Sequence, residues 1–499
     1  MNQLLPYITG LLNDVFTGIT YFMPEAYLVL LFLVVMITDL VFGKRAVAYC
    51  RAVACAGLVI VLFKDLLQFG LVLDGPHLIF SNMLLLSRSG ICFKLIIDVL
   101  AFILLLYFTW DKKLKSHDKG LADLYSIAIA SVFGLHLMAM AVNLLSVYLA
   151  IEMVSIASYL MVAYRTENAF STEAGLKYVL FGAASSAIML YGISLLYGFS
   201  GSLDLLARST VTQLINVNPV SSSFAMVLVL VGIGFKLSFV PIHFWVPDVY
   251  QGAPTPVTAW LSSLPKIAAF ALLFNVLPPM VLVGKSTGFN LEIVLSVIGI
   301  VTMIAGNFAA VMQNNVKRML AYSSIGHTGF ALMAVIVLTP QSLTTLTYYL
   351  LVYALANIGA LVLATYFSNV ADAEDMDGYK GLGLKYPIAS VCFTIILISL
   401  TGLPVTAGFT GKLFVFSSVY NTYQQSHSIW LALLMATGAL TTVVSLFYYI
   451  KIPLNLFLKR SENQDLEYRK SYNSVILAAI VSFILILLGV FPDFVLKYL

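Results

Sequence analysis

Fourteen apolar segments, most about twenty residues long, follow one another through this chain and leave short polar connections between them. A segment of that length covers the hydrocarbon of a bilayer as an α-helix, which satisfies its own backbone where no water can. The sequence therefore predicts an all-α membrane protein that crosses about fourteen times. Composition agrees. Of the 499 residues 61% are hydrophobic and only 10% charged, with a mean hydropathy of +0.97, whereas soluble domains carry about 25% charged residues.

The net charge of +4 does not point to nucleic acid, because the basic residues sit in short loops and form no patch interleaved with aromatics. Cys50, Cys55, Cys92 and Cys392 have no CxxC or zinc-type spacing, so no metal, iron-sulfur cluster or disulfide is expected. No cleavable leader is expected either, since the apolar run after Met23 continues to span length. Eighteen of the 27 lysines and arginines fall in loops on one side and five, Lys94 among them, on the other, while Lys64, Lys236, Lys266 and Lys412 lie within spans. By the positive-inside rule the richer side is cytoplasmic and both termini are outside.

Two segments are too long for a single crossing, the seventh (222–249) and the twelfth (387–420). Each has proline and glycine midway: Pro241 in one, Gly402, Pro404 and Gly408 in the other. Proline removes a backbone donor and crowds the carbonyl four residues earlier. Two half-helices joined by irregular backbone are the expected result. Both segments also place a lysine four residues after a glycine, in Gly232-Ile-Gly-Phe-Lys236 and Gly408-Phe-Thr-Gly-Lys412. Copies five helices apart enter the membrane from opposite sides. The expected organisation is thus N-terminal helices 1–3 (1–122), a five-helix repeat of helices 4–8 (123–278), its inverted counterpart of helices 9–13 (290–450), and a C-terminal loop and helix (451–499).

Intramembrane ionisable residues are the candidates for chemistry, because each charge near the bilayer centre costs at least about 2.5–3.5 kcal/mol and has to be met by partners or water. They are Glu152, Lys236, His243, Lys266, His327 and Lys412. The plain alternative is a set of static ion pairs that lock helices together. Against it, Lys236, Lys266 and Lys412 face only Glu152, so at least two of these lysines lack a carboxylate and are usable as proton carriers. Other ionisable groups have blander readings. Lys94 with Asp98 and Lys64 with Asp65 read as local structural pairs, Glu25 as a helix cap or subunit contact, and His136 as a packed or hydrogen-bonded residue. Loop exposure accounts for His77, His117 and His427.

The segments KLSFVPIHFWVPDVYQGAPTPVTAWLSSLPK, RMLAYSSIGHTGF and LTGLPVTAGFTGKLFVF resemble those of the antiporter-like membrane subunits of proton-pumping NADH:quinone oxidoreductase (respiratory complex I) and of multisubunit cation/proton antiporters. Within that family the chain is most similar to the N-type subunit. It has Lys412 where the M-type subunit carries a glutamate, and it ends after helix 14 without a lateral helix. The resemblance implies that Glu152 and Lys236 form a modulating ion pair, that Lys266 leads onward, and that Lys412 ends the proton path, with His243 and His327 lining it. It further implies no cofactor in this chain, with NADH, FMN, iron-sulfur clusters and quinone handled by partner subunits. The implied neighbours are the M-type subunit, small membrane subunits and the lipid bilayer, most simply in a bacterial inner membrane. One departure stands in LPVTAGF, where Val405 replaces a commoner second proline.

The expected function is proton translocation coupled to distant quinone reduction: weakening the Glu152–Lys236 pair frees a proton that passes through Lys266 and His327 to Lys412. A sodium/proton antiporter subunit would use the same lysines. A bis-histidine haem protein would need His136, His243 and His327, which stand on three helices without paired spacing.

Overall fold

The computed structural model describes residues 5–117, 120–459 and 472–499; the loop cations Lys119, Arg460, Arg469 and Lys470 lie outside the described residues. The principal helices in chain order are α1 (Met23–Phe42), α2 (Ala46–Gln68), α3 (Arg88–Tyr107), α4 (Ala122–Met140), α5 (Leu144–Val162), α6 (Ala169–Ser200), α7a (Pro219–Leu237) and α7b (Trp245–Gly252). They continue with α8 (Thr255–Thr287), α9 (Leu291–Val311), α10 (Val316–Val337), α11 (Pro340–Ala371), α12a (Pro387–Thr401), α12b (Ala407–Ser426), α13 (Ile429–Tyr449) and α14 (Tyr472–Val490). A short antiparallel pair of strands, His77–Ile79 with Leu84–Leu86, closes the connection between α2 and α3.

Among the described residues thirteen helices are long and apolar enough to cross a membrane. The difference from fourteen lies in the twelfth segment, which the chain divides into α12a, only 15 residues long, and the more polar α12b. The molecule is an integral, multi-pass membrane protein. Its centre is α11, whose most apolar window is 94% buried within the chain, against 28% for α1 and α2. Helices α8 and α10 flank α11 and bring their polar residues toward it.

Both breaks end in left-handed caps. After Leu237 the chain turns at Ser238 (φ 66°), and the Phe239 amide donates to the Gly234 carbonyl at 2.9 Å. After Thr401 it turns at Gly402 (φ 85°), with the Leu403 amide donating to Ile398 at 3.2 Å. Proline four residues beyond Leu237 and three beyond Thr401 prevents resumption. Pro265 does not break its helix: α8 runs through it, and the Tyr353 hydroxyl donates to the Ser262 carbonyl at 3.3 Å. Val405 takes φ 77°, a left-handed conformation costly for a β-branched residue and closed to the proline it replaces. Lys236 precedes its break and Lys412 follows its own, so the shared glycine–lysine spacing does not bring the two breaks into register.

Several blander expectations are corrected. Lys94 is no loop cation and does not pair with Asp98; fully buried, it bonds Glu25 at 2.8 Å and Asp65 at 2.6 Å, so Glu25 is neither a helix cap nor a subunit contact. Asp65 turns away from its neighbour Lys64, which lies 5.3 Å from the Tyr27 ring. His117 is buried and meets Glu167 at 2.9 Å. Lys94, Glu25 and Asp65, out of reach of water, take their partners across helices.

Close packing of α9 on α10 fixes the depth of the latter. A Cβ on Gly329 would lie 2.8 Å from the Met303 backbone nitrogen and 2.9 Å from the Gly299 carbonyl. Gly329→Leu is expected to force the helices apart, costing about 1–3 kcal/mol or more. Gly198→Leu, where nothing lies within 4 Å, should leave folding unchanged. Monodisperse yield and melting temperature of the two variants in detergent check this, and equal values would remove the crossing as a constraint.

Candidate functional site

Lys236 stands on the last turn of α7a, 2% exposed. Its ammonium makes no hydrogen bond and lies 5.7 Å from the Tyr178 ring and 5.9 Å from those of Tyr159 and Phe235. Glu152, on α5, is the acid whose field reaches it, yet the expected ion pair is open: Glu152 Oε1 and Lys236 Nζ are both buried without a hydrogen-bond partner. Ring faces accept the cation in place of the carboxylate. His243 lies in the broken stretch after α7a, with its ring against Phe244 and Nδ1 unpartnered.

From Lys236 an aromatic stack leads inward. Tyr178 stacks on Trp245 at 4.5 Å, and Trp245 meets Tyr250 edge-on at 6.1 Å. The Tyr250 hydroxyl reaches toward Ser324 without closing a hydrogen bond. The half-helix bearing these residues is fastened by Asp248, which accepts from Lys177 of α6 at 2.8 Å and from Arg318 of α10 at 2.7 Å.

Lys266, also 2% exposed, is served entirely by neutral oxygens of α10: the Ser324 hydroxyl at 2.6 Å, the Ser324 carbonyl at 2.9 Å and the Thr328 hydroxyl at 2.9 Å. Ser324 and Thr328 are four apart, so one helix face presents both. His327 sits between them in sequence and faces α11 and α13, with Nδ1 2.7 Å from the Tyr349 hydroxyl and Nε2 3.2 Å from that of Tyr449. Tyr449 also bonds Ser323, and Tyr353 donates to Ser324 at 2.8 Å.

Lys412 completes the line. Its ammonium donates to the Thr401 carbonyl at 2.8 Å, one of the backbone oxygens released where α12a ends, and to the Thr442 hydroxyl at 3.4 Å, with the Phe330 ring 5.4 Å away. A small cavity with room for about one water joins His327 to Lys412, lined also by Asn307, Thr442 and Ser445. The structure thus joins His327 to Lys412 through a cavity, sets the His327 ring 4.9 Å from that of Tyr353, which bonds Ser324 beside Lys266, and leaves Lys236, Glu152 and His243 near the first break with unpartnered polar atoms.

The sequence reading missed Ser324, Thr328 and the tyrosines. A signal was present: Tyr349, Tyr353 and Asn357 recur every four residues, a polar stripe on an otherwise apolar helix. It also missed the charge cluster of α1 to α4, having paired ions along helices.

A row of buried ammonium groups held by hydroxyls, ring faces and a helix-end carbonyl, across two broken helices of a multi-pass bundle, marks a membrane protein with charge buried along its spans. Residues 141–442 match the NADH:quinone oxidoreductase/Mrp antiporter transmembrane family, and the chain belongs to that family. It is 39% identical over 492 residues to NADH-quinone oxidoreductase subunit N 2 of Chloroherpeton thalassium, covering 97% of this chain and 94% of that one. A chain of respiratory complex I from Thermus thermophilus superposes with a TM-score of 0.77 at 29% identity, over 95% of this chain and 98% of its own length. A chain of the Mrp complex from a Dietzia species gives 0.78 over 96% of both at 18% identity, a likeness of fold.

Ser324 accepts from both Lys266 and Tyr353, so Ser324→Ala leaves a buried cation short of one acceptor. A loss of about 1–3 kcal/mol is expected, visible as a lower melting temperature, with Ser324→Thr close to the parent. An unchanged melting temperature in the alanine variant would mean that the hydroxyl does not hold the lysine.

Proposed function

We propose that this chain is the N-type, proton-translocating membrane subunit of an NADH:quinone oxidoreductase, moving protons along its buried lysines while quinone is reduced elsewhere in the complex. The observation that carries the reading is the row of Lys266 with Ser324 and Thr328, then His327, then Lys412, in which every polar contact is to a neutral donor or acceptor. An ammonium paired with a carboxylate is held; one bonded to hydroxyls and carbonyls can give up its proton and be refilled. The near full-length likeness to a subunit N at 39% identity supports this reading over an antiporter subunit, for which the likeness is at the level of fold.

In this reading Glu152 and Lys236 are the input end. The pair is open here, and closing it draws the ammonium from the rings of Tyr159 and Tyr178 onto the carboxylate. Alternation between the two arrangements gates passage through Tyr250 and Ser324 to Lys266. His243 borders the input end and His327 the output. Residues 123–278 and 290–450 act as two inverted repeats, a view that rests on broken helices five apart, between the N-terminal helices (1–122) and the C-terminal segment (451–499). The chain itself holds no redox centre. NADH, FMN, iron-sulfur clusters and quinone belong to partner subunits, and its membrane neighbours are an M-type subunit and small membrane subunits. The setting is a bacterial inner membrane with both termini outside.

Two substitutions test the ends of the path in the assembled complex reconstituted in vesicles. Lys236→Ala should abolish proton movement while quinone reduction is measured alongside, and Glu152→Gln should reduce it less, because the carrier remains. At the other end, Lys412→Arg keeps a charge that cannot be given up in the accessible range, whereas Lys412→Glu keeps a titratable group. The arginine variant should move fewer protons per quinone reduced than the glutamate variant. Parent-level pumping by Lys412→Arg would make Lys412 a fixed positive potential and end its role as carrier.

A further inference from the structure

Five titratable side chains converge where α1 to α4 pack together, away from the lysine line: Glu25, Asp65, Lys94, Asp98 and His136, each 0% exposed. Lys94 Nζ lies 2.8 Å from Glu25 Oε1 and 2.6 Å from Asp65 Oδ1, and donates to Gln68 Oε1 at 2.5 Å. His136 Nε2 is 3.0 Å from Asp98 Oδ1, while Nδ1 is 3.4 Å from Glu25 Oε1 and 4.0 Å from Asp65 Oδ2. Lys64, the remaining charged group of α2 nearby, turns instead to Tyr27 of α1.

The charges do not cancel. Three carboxylates face one ammonium and one imidazole, so the group stays negative even when the imidazole is protonated. A net charge sealed from water is costly. Three carboxylate oxygens, Glu25 Oε2, Asp65 Oδ2 and Asp98 Oδ2, are moreover buried without a hydrogen-bond donor, although unpaired acceptors of this kind are rarely left so. The cation that three carboxylates call for is already present as Lys94. What remains to be supplied is a proton.

We propose that Glu25, Asp65, Lys94, Asp98 and His136 form a second proton-binding site, which holds a proton on one of its carboxyl groups in addition to those on Lys94 and His136. A carboxyl O–H protonates one of the orphaned oxygens or donates to one, and it removes the excess charge. The site adjoins the strand pair through Gln68 and Tyr21. Gln68 Nε2 donates to the Tyr21 carbonyl at 2.7 Å, and the Tyr21 ring stacks at 4.8 Å on His77, half-buried in the strand pair. It also lies level with the lysine line's input end. A Cβ on Gly134 of α4 would sit 3.1 Å from Met153 Cβ of α5, so in this antiparallel pair His136 stands opposite Ile151 and Glu152. The assignment does not depend on the proton-translocation reading.

Infrared spectroscopy of the full chain in lipid nanodiscs tests it directly, through the carbonyl stretch of a protonated carboxylic acid near neutral pH. The expected result is such a band in the parent, shifted in heavy water, and lost in at least one of Glu25→Gln, Asp65→Asn and Asp98→Asn. Because an amide variant can fail to fold, Glu25→Asp and Asp98→Glu are measured beside it; these keep the carboxyl and should shift the band. Absence of the band in the parent overturns the proposal. So does a band that neither the amide nor the conservative variants remove or move, since its proton then lies elsewhere.

Discussion

An ammonium group that cannot reach water needs electron-rich neighbours, and the fold is arranged to provide them without committing to carboxylates. Lys236 receives ring faces, Lys266 two hydroxyls and a carbonyl, and Lys412 a carbonyl that no longer belongs to a helix. Each is a weaker host than an acid. That weakness matters for a relay, because a site that binds a charge too well is a trap. The breaks serve the same need: ending α12a at Thr401 creates an acceptor in a region where regular backbone offers none.

The N-terminal cluster uses the opposite chemistry. Lys94 touches two carboxylates and an amide oxygen within 2.8 Å, in a pocket with no exposure at all. Removing one member of such a group leaves the others unbalanced, so it fastens α1, α2, α3 and α4 to each other through charge. One chain therefore contains two regimes for buried charge, separated by the α4–α5 pair: one tight and ionic, the other loose and dipolar.

Much of this was legible in the sequence. Span lengths gave the crossings, and proline with glycine located both interruptions to within a few residues, because those residues act through local backbone sterics. The isolated charges in apolar runs singled out Lys236, Lys266 and Lys412, since burial of a charge is unfavourable whatever the surrounding fold. Partner choice was not legible. Lys94 and Asp98 are four apart and suited to each other on one helix, yet each finds its partner on another, and only the packing of four helices decides that. The Glu152–Lys236 contact is likewise a matter of side-chain placement, and here the rings of Tyr159 and Tyr178 have won.

The glycine crossing of α9 and α10 bears on time. Gly299 and Gly329 bring the two backbones so close that neither helix can slide or turn past the other without first separating. Helix α10 carries Ser324, His327 and Thr328, so the middle of the proposed relay is pinned to this close crossing. Motion there falls to the side chains, whereas collective shifts of helices take microseconds to milliseconds. In the proposed relay a slow, collective step is therefore placed at the ends, where Lys236 and Lys412 adjoin irregular backbone.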